Sequence, residues 1–298
     1  MDNTRRFPLI LSSFWLKVIA LLTMTIDHIG YMLEGYAGFE TTAAVFRHIG
    51  RLALPLFCFM IAEGAMHTKN FKKYALRLGI MASLISLGML LYESIPAINQ
   101  GVTIRDQGII FIDLLLGATA VFCLKQKKWY LKLLAILPLA FGIISFFVSS
   151  YESCRCHGDV LWFPYFIRTQ YGWFAILLCI LFYVARLLAD LYIGLLSSQS
   201  GVDRESYKDS NIERHAINII SALMLAASSV LYYYISNLMG PDVFTARMIK
   251  IQLFAMFSGA FILLYNGHRG YNKKWFQYGS YLYYPIHLGI IFLIFELI

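Results

Sequence analysis

Titratable side chains inside long apolar stretches are the residues of this chain whose chemistry most needs an explanation. The first such stretch contains the adjacent pair Asp27 and His28, and the last contains His287. Charged or titratable groups are costly in hydrocarbon, and those found there usually belong to functional sites. Because an imidazole titrates near neutral pH, His28 and His287 are candidates for a general base.

The second apolar stretch adds Arg47 and Arg51, which lie one helical turn apart and therefore on one face. Neighbours on a helix point about 100° apart, so Asp27 is not expected to bond to His28. We expect Asp27 to pair with Arg47 or Arg51 across a helix interface. His28 then either faces a cavity as a catalyst or is satisfied by a neighbouring helix. The two arginines either neutralise the phosphate of a donor or form structural pairs with Asp27 and Glu34.

Other polar groups lie near the ends of apolar stretches. Glu63 and His67 are one turn apart near the end of the second stretch, and Arg77 enters the third. They either contact a ligand or mark a cytoplasmic helix end. Asp113 lies within the fourth stretch, where a single carboxylate is expected to form hydrogen bonds between helices rather than to catalyse a reaction.

A glycine-rich turn near the C-terminus has the composition of an anion site. It reads Asn266-Gly267-His268-Arg269-Gly270 and is followed by two lysines. Backbone donors freed by glycine, together with Arg and Lys, suit an anionic ligand. The alternative is an ordinary turn that carries the positive charge typical of cytoplasmic loops.

The amino-acid composition indicates that these titratable groups are positioned by segments that lie in a membrane. Only 14% of the 298 residues are charged and 59% are hydrophobic, whereas a soluble domain carries roughly 25% charged residues. Lipid must therefore be the solvent for much of the chain. The net charge of +8 then indicates basic cytoplasmic loops rather than a nucleic-acid partner.

Nine continuous apolar runs approach the length of about 20 residues that a membrane-spanning helix needs. They lie at about 14–35, 43–66, 74–93, 107–124, 129–149, 170–190, 214–238, 246–265 and 277–298. Since the runs are continuous rather than alternating, the sequence predicts an all-α transmembrane helix bundle of about nine (eight to ten) spans.

The basic residues predict an orientation. With a cytoplasmic N-terminus, 18 of the 25 Lys and Arg residues lie at the start of the chain or in even-numbered connections. Such an excess is typical of the cytoplasmic side. An outside C-terminus then requires an odd helix count. The polar segment 191–213 is predicted to be a cytoplasmic linker between a six-helix portion, 14–190, and a three-helix portion, 214–298, of one membrane domain, 1–298.

The five cysteines do not form a disulfide framework, since three of them lie in apolar runs. The other two, Cys154 and Cys156, precede His157 in a loop and have the composition of a metal site. A second ligand pair is lacking, so no metal is predicted.

Four segments of the chain, taken together, resemble the TraX family, membrane proteins named for acetylation of conjugative pilin. These are Leu16 to Ala20 leading to Asp27-His28-Ile29-Gly30; Arg47 to Phe57 with Ile61 to Gly64, His67 to Asn70, Lys73-Tyr74 and Arg77; Leu264 to Gly267 with Arg269-Gly270; and Tyr284 to Leu288. The family is similar to broader transmembrane acyltransferases that use acyl-CoA.

The resemblance implies a membrane-embedded acyltransferase. It would transfer an acetyl group from cytoplasmic acetyl-CoA to an amine or hydroxyl of a surface or membrane-associated acceptor, either a pilin-like peptide or a glycan. Multi-pass insertion in a bacterial inner membrane is implied as well. The residues are assigned as follows: catalytic, His28 as base with Asp27; donor-binding, Arg47, Arg51, Glu63, His67, Lys69, Asn266 and Arg269; additional candidates, His287, Tyr283 and Arg77.

A transporter or flippase is the main alternative from another class. Asp27, Asp113, Arg47 and His287 would then form a substrate or proton path. No internal repeat of the kind found in many transporters is detectable. A non-catalytic assembly protein ranks third, because it leaves the titratable groups with no purpose beyond packing.

Overall fold

The computed structural model describes residues 8–94, 108–153, 160–209, 211–238 and 251–297. All regular elements in these ranges are helical, apart from one isolated parallel bridge between Leu11 and Tyr265. The prediction of an all-α fold is therefore confirmed. The helices are α1 (Ser13–Leu33), α2 (Glu40–Gly50), α3 (Ala53–His67), α4 (Phe71–Ser94), α5 (Ile110–Leu124), α6 (Trp129–Leu133), α7 (Ile136–Ser153), α8 (Trp173–Ser200), α9 (Arg204–Asp209), α10 (Ile212–Leu238), α11 (Gly259–Leu263) and α12 (Lys274–Leu297), with short 3-10 helices at Tyr165–Ile167 and Leu253–Ser258.

Seven helical segments within the described ranges are long and apolar enough to cross a membrane. They are Ser13–Leu33, Glu40–His67, Phe71–Leu91, Trp129–Glu152, Trp173–Ser200, Ile212–Ile235 and Lys274–Phe295. The chain is therefore a multi-pass membrane protein.

Two of the nine predicted spans are short helices in the structure. They are Ile110–Leu124 and the segment Leu253–Leu263, which combines a 3-10 helix with α11. Fifteen residues rise only about 22 Å, which is less than the roughly 30 Å of a hydrocarbon core. The predicted number of nine full crossings thus stays a prediction.

The predicted helix boundary at residue 190 differs from the structure. α8 continues for another ten residues to Ser200, and α9 occupies part of the segment predicted to be a linker. The run that follows residue 190 is still rich in Leu and contains no Pro, so nothing in it stops a helix. Gly201, with φ of +67°, ends α8 in the left-handed conformation common after helix C-termini.

Two compact units form within the chain. The first contains Met1–Met60, Leu181–Tyr233 and Lys250–Ile298, and the second contains Ile61–Ile180 and Tyr234–Ile249. The first unit joins α1 and α12, the first and last helices that the structure describes, a grouping that the predicted division into six and three successive helices does not anticipate.

In the first unit, α1 and α12 pack as parallel helices. Lys17 lies over the ring of Phe276, and further along, Tyr36 donates a hydrogen bond to the carbonyl of Phe295. Contacts therefore advance in the same direction along both helices. If both cross the membrane, the total number of crossings is odd, in agreement with either seven or nine.

In the second unit, Asp113 of α5 is fully buried, and its carboxylate binds backbone N–H groups of the loop that precedes α8. Its carboxylate oxygens accept hydrogen bonds from the backbone N–H groups of Gln170 and Tyr171, at 2.6 and 3.1 Å. Nearby in sequence, Arg168 forms a buried ion pair with Glu152. Asp113 was expected to form hydrogen bonds between helices; it does bond to a distant segment, but that segment is the loop before α8 rather than a helix.

Candidate active site

Two glycines allow α1 and α2 to approach closely enough for the charged groups of the first unit to meet. A Cβ atom at Gly30 would lie 2.7 Å from the Cβ of Phe46, and one at Gly50 would overlap the side chain of Asp27. The α1 face that packs inward repeats every three or four residues, which is the helical period. The buried residues of this face are Leu16, Ala20, Thr23, Met24, Asp27 and Gly30.

Asp27 pairs with both arginines of the second span. Its Oδ2 lies 2.7 Å from Nη1 of Arg47, and its Oδ1 lies 2.6 Å from Nη2 of Arg51. Nε of Arg47 also lies 3.4 Å from Glu34, so the four groups balance in charge. The expected pairing of Asp27 across the interface is confirmed. The geometry corresponds to the structural alternative for the arginines, and a contact with a donor phosphate stays a prediction.

A break in the second span sets the position of Arg51. α2 ends at Gly50 and α3 begins at Ala53, so Arg51 and Leu52 form a turn between them. Pro55 explains the break, because it lacks an N–H for the carbonyl of Arg51 and its ring crowds that carbonyl. The hydroxyl of Ser258 donates to the carbonyl of Leu52 at 3.0 Å and holds the turn.

His28 does not contact the Asp27 pairs through hydrogen bonds but faces α12. Its Nδ1 lies 2.7 Å from Nε2 of His287, and the two rings are tilted by 32°. Nδ1 of His287 lies 2.7 Å from the carbonyl oxygen of Tyr283, one turn earlier in α12. The structure therefore brings together two histidines that are 259 residues apart in the sequence.

This chain of hydrogen bonds fixes the tautomers when both rings are neutral. The carbonyl of Tyr283 can only accept, so Nδ1 of His287 carries a proton and its Nε2 is an acceptor. Nδ1 of His28 must then donate to that acceptor. Nε2 of His28 is left without a proton, and its lone pair is the basic position of the pair.

Aromatic and hydroxyl groups hold the imidazole pair in place. The ring of Tyr283 stacks on His287 with centroids 4.9 Å apart, and its hydroxyl lies 2.7 Å from that of Thr25. Tyr284 meets both histidines edge to face. His287 is buried, whereas His28 is only partly buried. The arrangement suits a base whose ring is held in a fixed orientation.

The glycine-rich turn is fixed to the start of α1. The N–H groups of Ser13 and Phe14 donate to the carbonyls of His268 and Arg269, at 2.8 and 3.1 Å. The first N–H groups of a helix have no partner within the helix, and the carbonyls of this turn accept hydrogen bonds from two of them. The side chain of Arg269 stays exposed. Asn266 is held by its N–H, which donates to the carbonyl of Leu11 at 2.8 Å.

Four predicted site residues belong to the second unit. Nδ1 of His67 donates to the carbonyl of Glu63 at 2.8 Å, and its side chain is half exposed, as at an ordinary helix end. Lys69 and Arg77 are exposed. The roles of Glu63, His67 and Lys69 in donor binding, and of Arg77 as an additional candidate, stay predictions.

No group of three or more potential metal ligands occurs among the residues that the structure describes. Cys154, Cys156 and His157 lie outside the described residues.

Thr25 and Asn218 are site neighbours that the sequence did not single out. Thr25 lies one turn before His28, which is a weak signal because Thr is common in membrane helices. Nδ2 of Asn218 donates to the carbonyl of Tyr265 at 2.7 Å, immediately before the glycine-rich turn. An Asn in an otherwise apolar helix is the signal that would have identified it.

The chain is 29% identical over 138 residues to the probable fimbrial assembly protein FimC, serogroup H1, of Dichelobacter nodosus, a match that covers 45% of this chain. The chain spans about half the length, 55%, of that curated relative. No solved structure matches the chain.

The family comparison covers more than half of the chain. The model of the family described as TraX protein matches residues 12–189. This range includes Asp27, His28, Arg47 and Arg51 but ends before His287. This chain belongs to the TraX protein family.

Proposed function

We propose that this protein is a membrane-embedded acetyltransferase. It transfers an acetyl group from cytoplasmic acetyl-CoA to an amine or hydroxyl of a surface or membrane-associated acceptor, and His28 is the base. The observation that carries the proposal is the hydrogen bond of 2.7 Å between His28 and His287, which leaves Nε2 of His28 unprotonated and the ring only partly buried.

The reaction needs one proton carrier, and His28 supplies it. As the acceptor nitrogen or oxygen attacks the thioester carbonyl carbon, its proton moves to Nε2 of His28. The tetrahedral intermediate then collapses, and the carbon–sulfur bond breaks. The departing thiolate takes the proton from Nε2, which yields free coenzyme A and neutral His28.

His287 positions the base during this cycle. When Nε2 of His28 gains a proton, the resulting imidazolium still donates from Nδ1 to His287, so the hydrogen bond persists through the step. His287 is held in turn by the carbonyl of Tyr283. Tyr283 also helps to orient the site: the Thr25 hydroxyl donates to the carbonyl of Leu21 at 3.0 Å, so the Tyr283 hydroxyl donates to Thr25, one turn from His28.

The glycine-rich turn is the proposed site for the anionic part of the donor. Arg269 is exposed there, and Lys273 and Lys274 follow. The turn lies at the start of α1, and His28 is 15 residues further along, or about 22 Å at the usual rise per residue. The extended pantetheine arm of coenzyme A spans about 20 Å. A nucleotide at the turn would therefore bring its thioester close to His28.

The identity of the acceptor is proposed from the comparisons. The family takes its name from conjugative pilin acetylation, and the relative in Dichelobacter nodosus is a probable fimbrial assembly protein. Both favour a pilin-like peptide, with a glycan as the second class of acceptor. They also favour the inner membrane of a bacterial cell as the location.

The test is transfer of labelled acetyl groups from acetyl-CoA in membranes that contain the full chain. We expect His28→Ala to abolish transfer, whereas His48→Ala should leave it nearly unchanged. His48 is a suitable control because it also lies in a membrane helix but bonds to its own helix, through the carbonyl of Ala44. Both variants must give the same elution profile in detergent as the wild-type protein. Full transfer by His28→Ala would overturn the proposal.

The effect of acetyl-CoA on thermal unfolding distinguishes an acetyltransferase from a transporter or flippase. Acetyl-CoA should raise the thermal unfolding temperature of the purified enzyme, because a ligand that binds only the native state stabilises it. A transporter for another substrate should not respond.

A further inference from the structure

An aromatic patch formed by Phe14, Tyr271, Trp275 and Phe276 lies where α1 and α12 begin. The ring centroid of Phe14 lies 5.5 Å from that of Tyr271 and 4.7 Å from that of Phe276. The centroid of Trp275 lies 5.9 Å from both Tyr271 and Phe276. Tyr271 is 41% and Trp275 66% exposed. The aromatic patch adjoins the glycine-rich turn, because Tyr271 directly follows Gly270.

The indole of Trp275 is exposed and yet held in one orientation. Its Nε1 donates a hydrogen bond to the hydroxyl of Tyr271 at 2.9 Å. The rings of Tyr271 and Phe276 are inclined to the indole by 67° and 85°, so neither of them stacks on its face. Exposed aromatic faces of this kind stack on nucleobases, and such stacking accepts any base because every base has a π face.

Positive charge borders the aromatic patch and is not neutralised by carboxylates. The ammonium groups of Lys17 and Lys273 lie 5.6 and 6.0 Å from the centres of two rings of the aromatic patch. Neither lysine forms an ion pair with a residue in the described part of the chain. In sequence, residues 8–26 and 259–295 contain no Asp or Glu at all. Stacking faces combined with cations suit a base that carries phosphates.

An ordinary interfacial arrangement of aromatic and basic side chains occurs elsewhere in the chain and serves as a comparison. Trp129 is 72% exposed and contacts Tyr130, and Lys128 lies over the ring of Tyr130 at 5.6 Å. Trp and Tyr are common at membrane interfaces for their amphipathic character alone. The indole N–H of Trp129 donates to no residue within the described ranges. The fixed indole therefore distinguishes the aromatic patch from a simple interfacial anchor.

The aromatic patch and the imidazole pair are aligned along the same two helices. Lys17 lies over Phe276, and His28 bonds to His287, so α1 and α12 meet at two points. On both helices the two points are eleven residues apart, which is about three turns, so Lys17 and His28 lie on one side of α1. Their separation along α1 is about 16 Å, less than the roughly 20 Å of an extended pantetheine arm. A donor whose phosphates meet Lys17 thus has its thioester within reach of His28.

We propose that the indole of Trp275 stacks on the adenine of the acyl-CoA donor and that Lys17 and Lys273 bind the phosphates on its ribose. This inference rests on the proposed function and assigns the residues that recognise the nucleotide of the donor. Coenzyme A carries one phosphate on the 3′ oxygen of its ribose and a diphosphate on the 5′ oxygen. The two ammonium groups lie over the two rings that flank the indole, so each can meet one of these phosphate positions.

The test measures equilibrium binding of three labelled probes to the full chain purified in detergent. The probes are coenzyme A; adenosine 3′,5′-bisphosphate, which lacks the pantetheine arm; and 4′-phosphopantetheine, which lacks the adenosine. The test variant is Trp275→Leu, which keeps an apolar side chain but removes the π face. Trp275→Phe restores a ring that can stack. Trp129→Leu is the matched control, because it removes an equally exposed indole from another basic connection.

We expect Trp275→Leu to bind coenzyme A and adenosine 3′,5′-bisphosphate about ten-fold more weakly, a loss typical of one stacked base, and to bind 4′-phosphopantetheine unchanged. Trp275→Phe should recover most of that loss, and Trp129→Leu should bind all three probes like the wild-type protein. Lys17→Gln should weaken binding of all three probes, since each carries a phosphate, and the effect should shrink at high salt.

Unchanged binding of coenzyme A by Trp275→Leu would overturn the inference. An equal loss for 4′-phosphopantetheine, or an equal loss in Trp129→Leu, would do the same, because the indole would then act only through the fold or the membrane. In each of these cases, coenzyme A binding and acetyl transfer by the wild-type protein leave the proposed function standing. If the wild-type protein binds no coenzyme A, the proposed function fails and the inference fails with it.

Discussion

Nδ1 of His28 and Nε2 of His287 lie 2.7 Å apart, so the first and last helices of the chain share a hydrogen bond between two imidazoles. The carbonyl of Tyr283 orients the second ring, and the second ring orients the first. A carbonyl and a neutral histidine thus fix the tautomer of the proposed base. The nearby carboxylate of Asp27 is occupied by two arginines instead.

Replacing His287 should slow the reaction without weakening donor binding. We expect His287→Ala to lower kcat about 100-fold, at the lower end of what general base catalysis contributes, while KM for acetyl-CoA changes little. The physical reason is that Nδ1 of His28 loses its acceptor and the ring loses its orientation. Steady-state kinetics with labelled acetyl-CoA measure both constants. An unchanged kcat, or a rise in KM alone, would contradict the role of His287 in positioning His28.

Removing the carboxylate of Asp27 should destabilise the protein strongly. Asp27→Ala leaves Arg47 and Arg51 buried without their shared anion, and breaking a buried ion pair costs about 3–5 kcal/mol. Unfolding in detergent with increasing denaturant measures the loss. Glu34→Ala is the comparison, and a much smaller effect is expected because Glu34 lies 3.4 Å from Arg47 with its side chain 25% exposed. Equal losses for the two variants would show that Asp27 does not hold the arginines together.

The close approach of α1 and α2 depends on the missing side chain at Gly50. We expect Gly50→Ala to lower the free energy of unfolding by about 1–3 kcal/mol, because the new methyl group overlaps Asp27. Gly194→Ala in α8 is the matched control, since its Cβ meets nothing within 4 Å. That change should be neutral or stabilise by about 0.5–1 kcal/mol. Thermal unfolding of the two variants side by side tests the difference, and identical behaviour would argue against the packing described.

Asp113 should matter for structure rather than for chemistry. Asp113→Ala removes the acceptor of the N–H groups of Gln170 and Tyr171, and each unpaired group costs about 1–3 kcal/mol. We expect faster proteolysis around residues 160–172 and a lower unfolding temperature. Thr119→Val on the same helix is the control, because that hydroxyl bonds to its own helix, through the carbonyl of Leu115. Loss of acetyl transfer by an Asp113→Ala protein of normal stability would instead assign the carboxylate to the site.

Arg269 should act on donor affinity through its charge. We expect Arg269→Ala to raise KM for acetyl-CoA several-fold at low salt, and the difference from wild type should shrink at high salt because exposed charges are screened. Lys128→Ala changes the net charge equally but lies in a different basic connection, and it should leave KM unchanged. Equal effects of the two changes would indicate a general field of the basic connections rather than a site at the turn.

The sequence alone determined several features of this protein. The scarcity of charge and the length of the apolar runs fixed a helical membrane protein, because unpaired backbone groups cannot face lipid. The motifs around Asp27, Arg47 and Arg51 indicated the family and the ion pairs, since residues one turn apart on a helix share a face whatever the rest of the fold does. The length of α8 was underestimated because the segment after residue 190 begins with a run that is still rich in Leu and contains nothing that ends a helix.

Only the tertiary structure decided which helices are neighbours. Nothing local in the sequence relates His28 to His287, because their contact depends on α1 and α12 packing side by side. The contact of Lys17 with Phe276 was equally invisible, since it depends on the same packing. The local period of a helix fixes which residues share a face, but only the packing of distant segments fixes what that face meets.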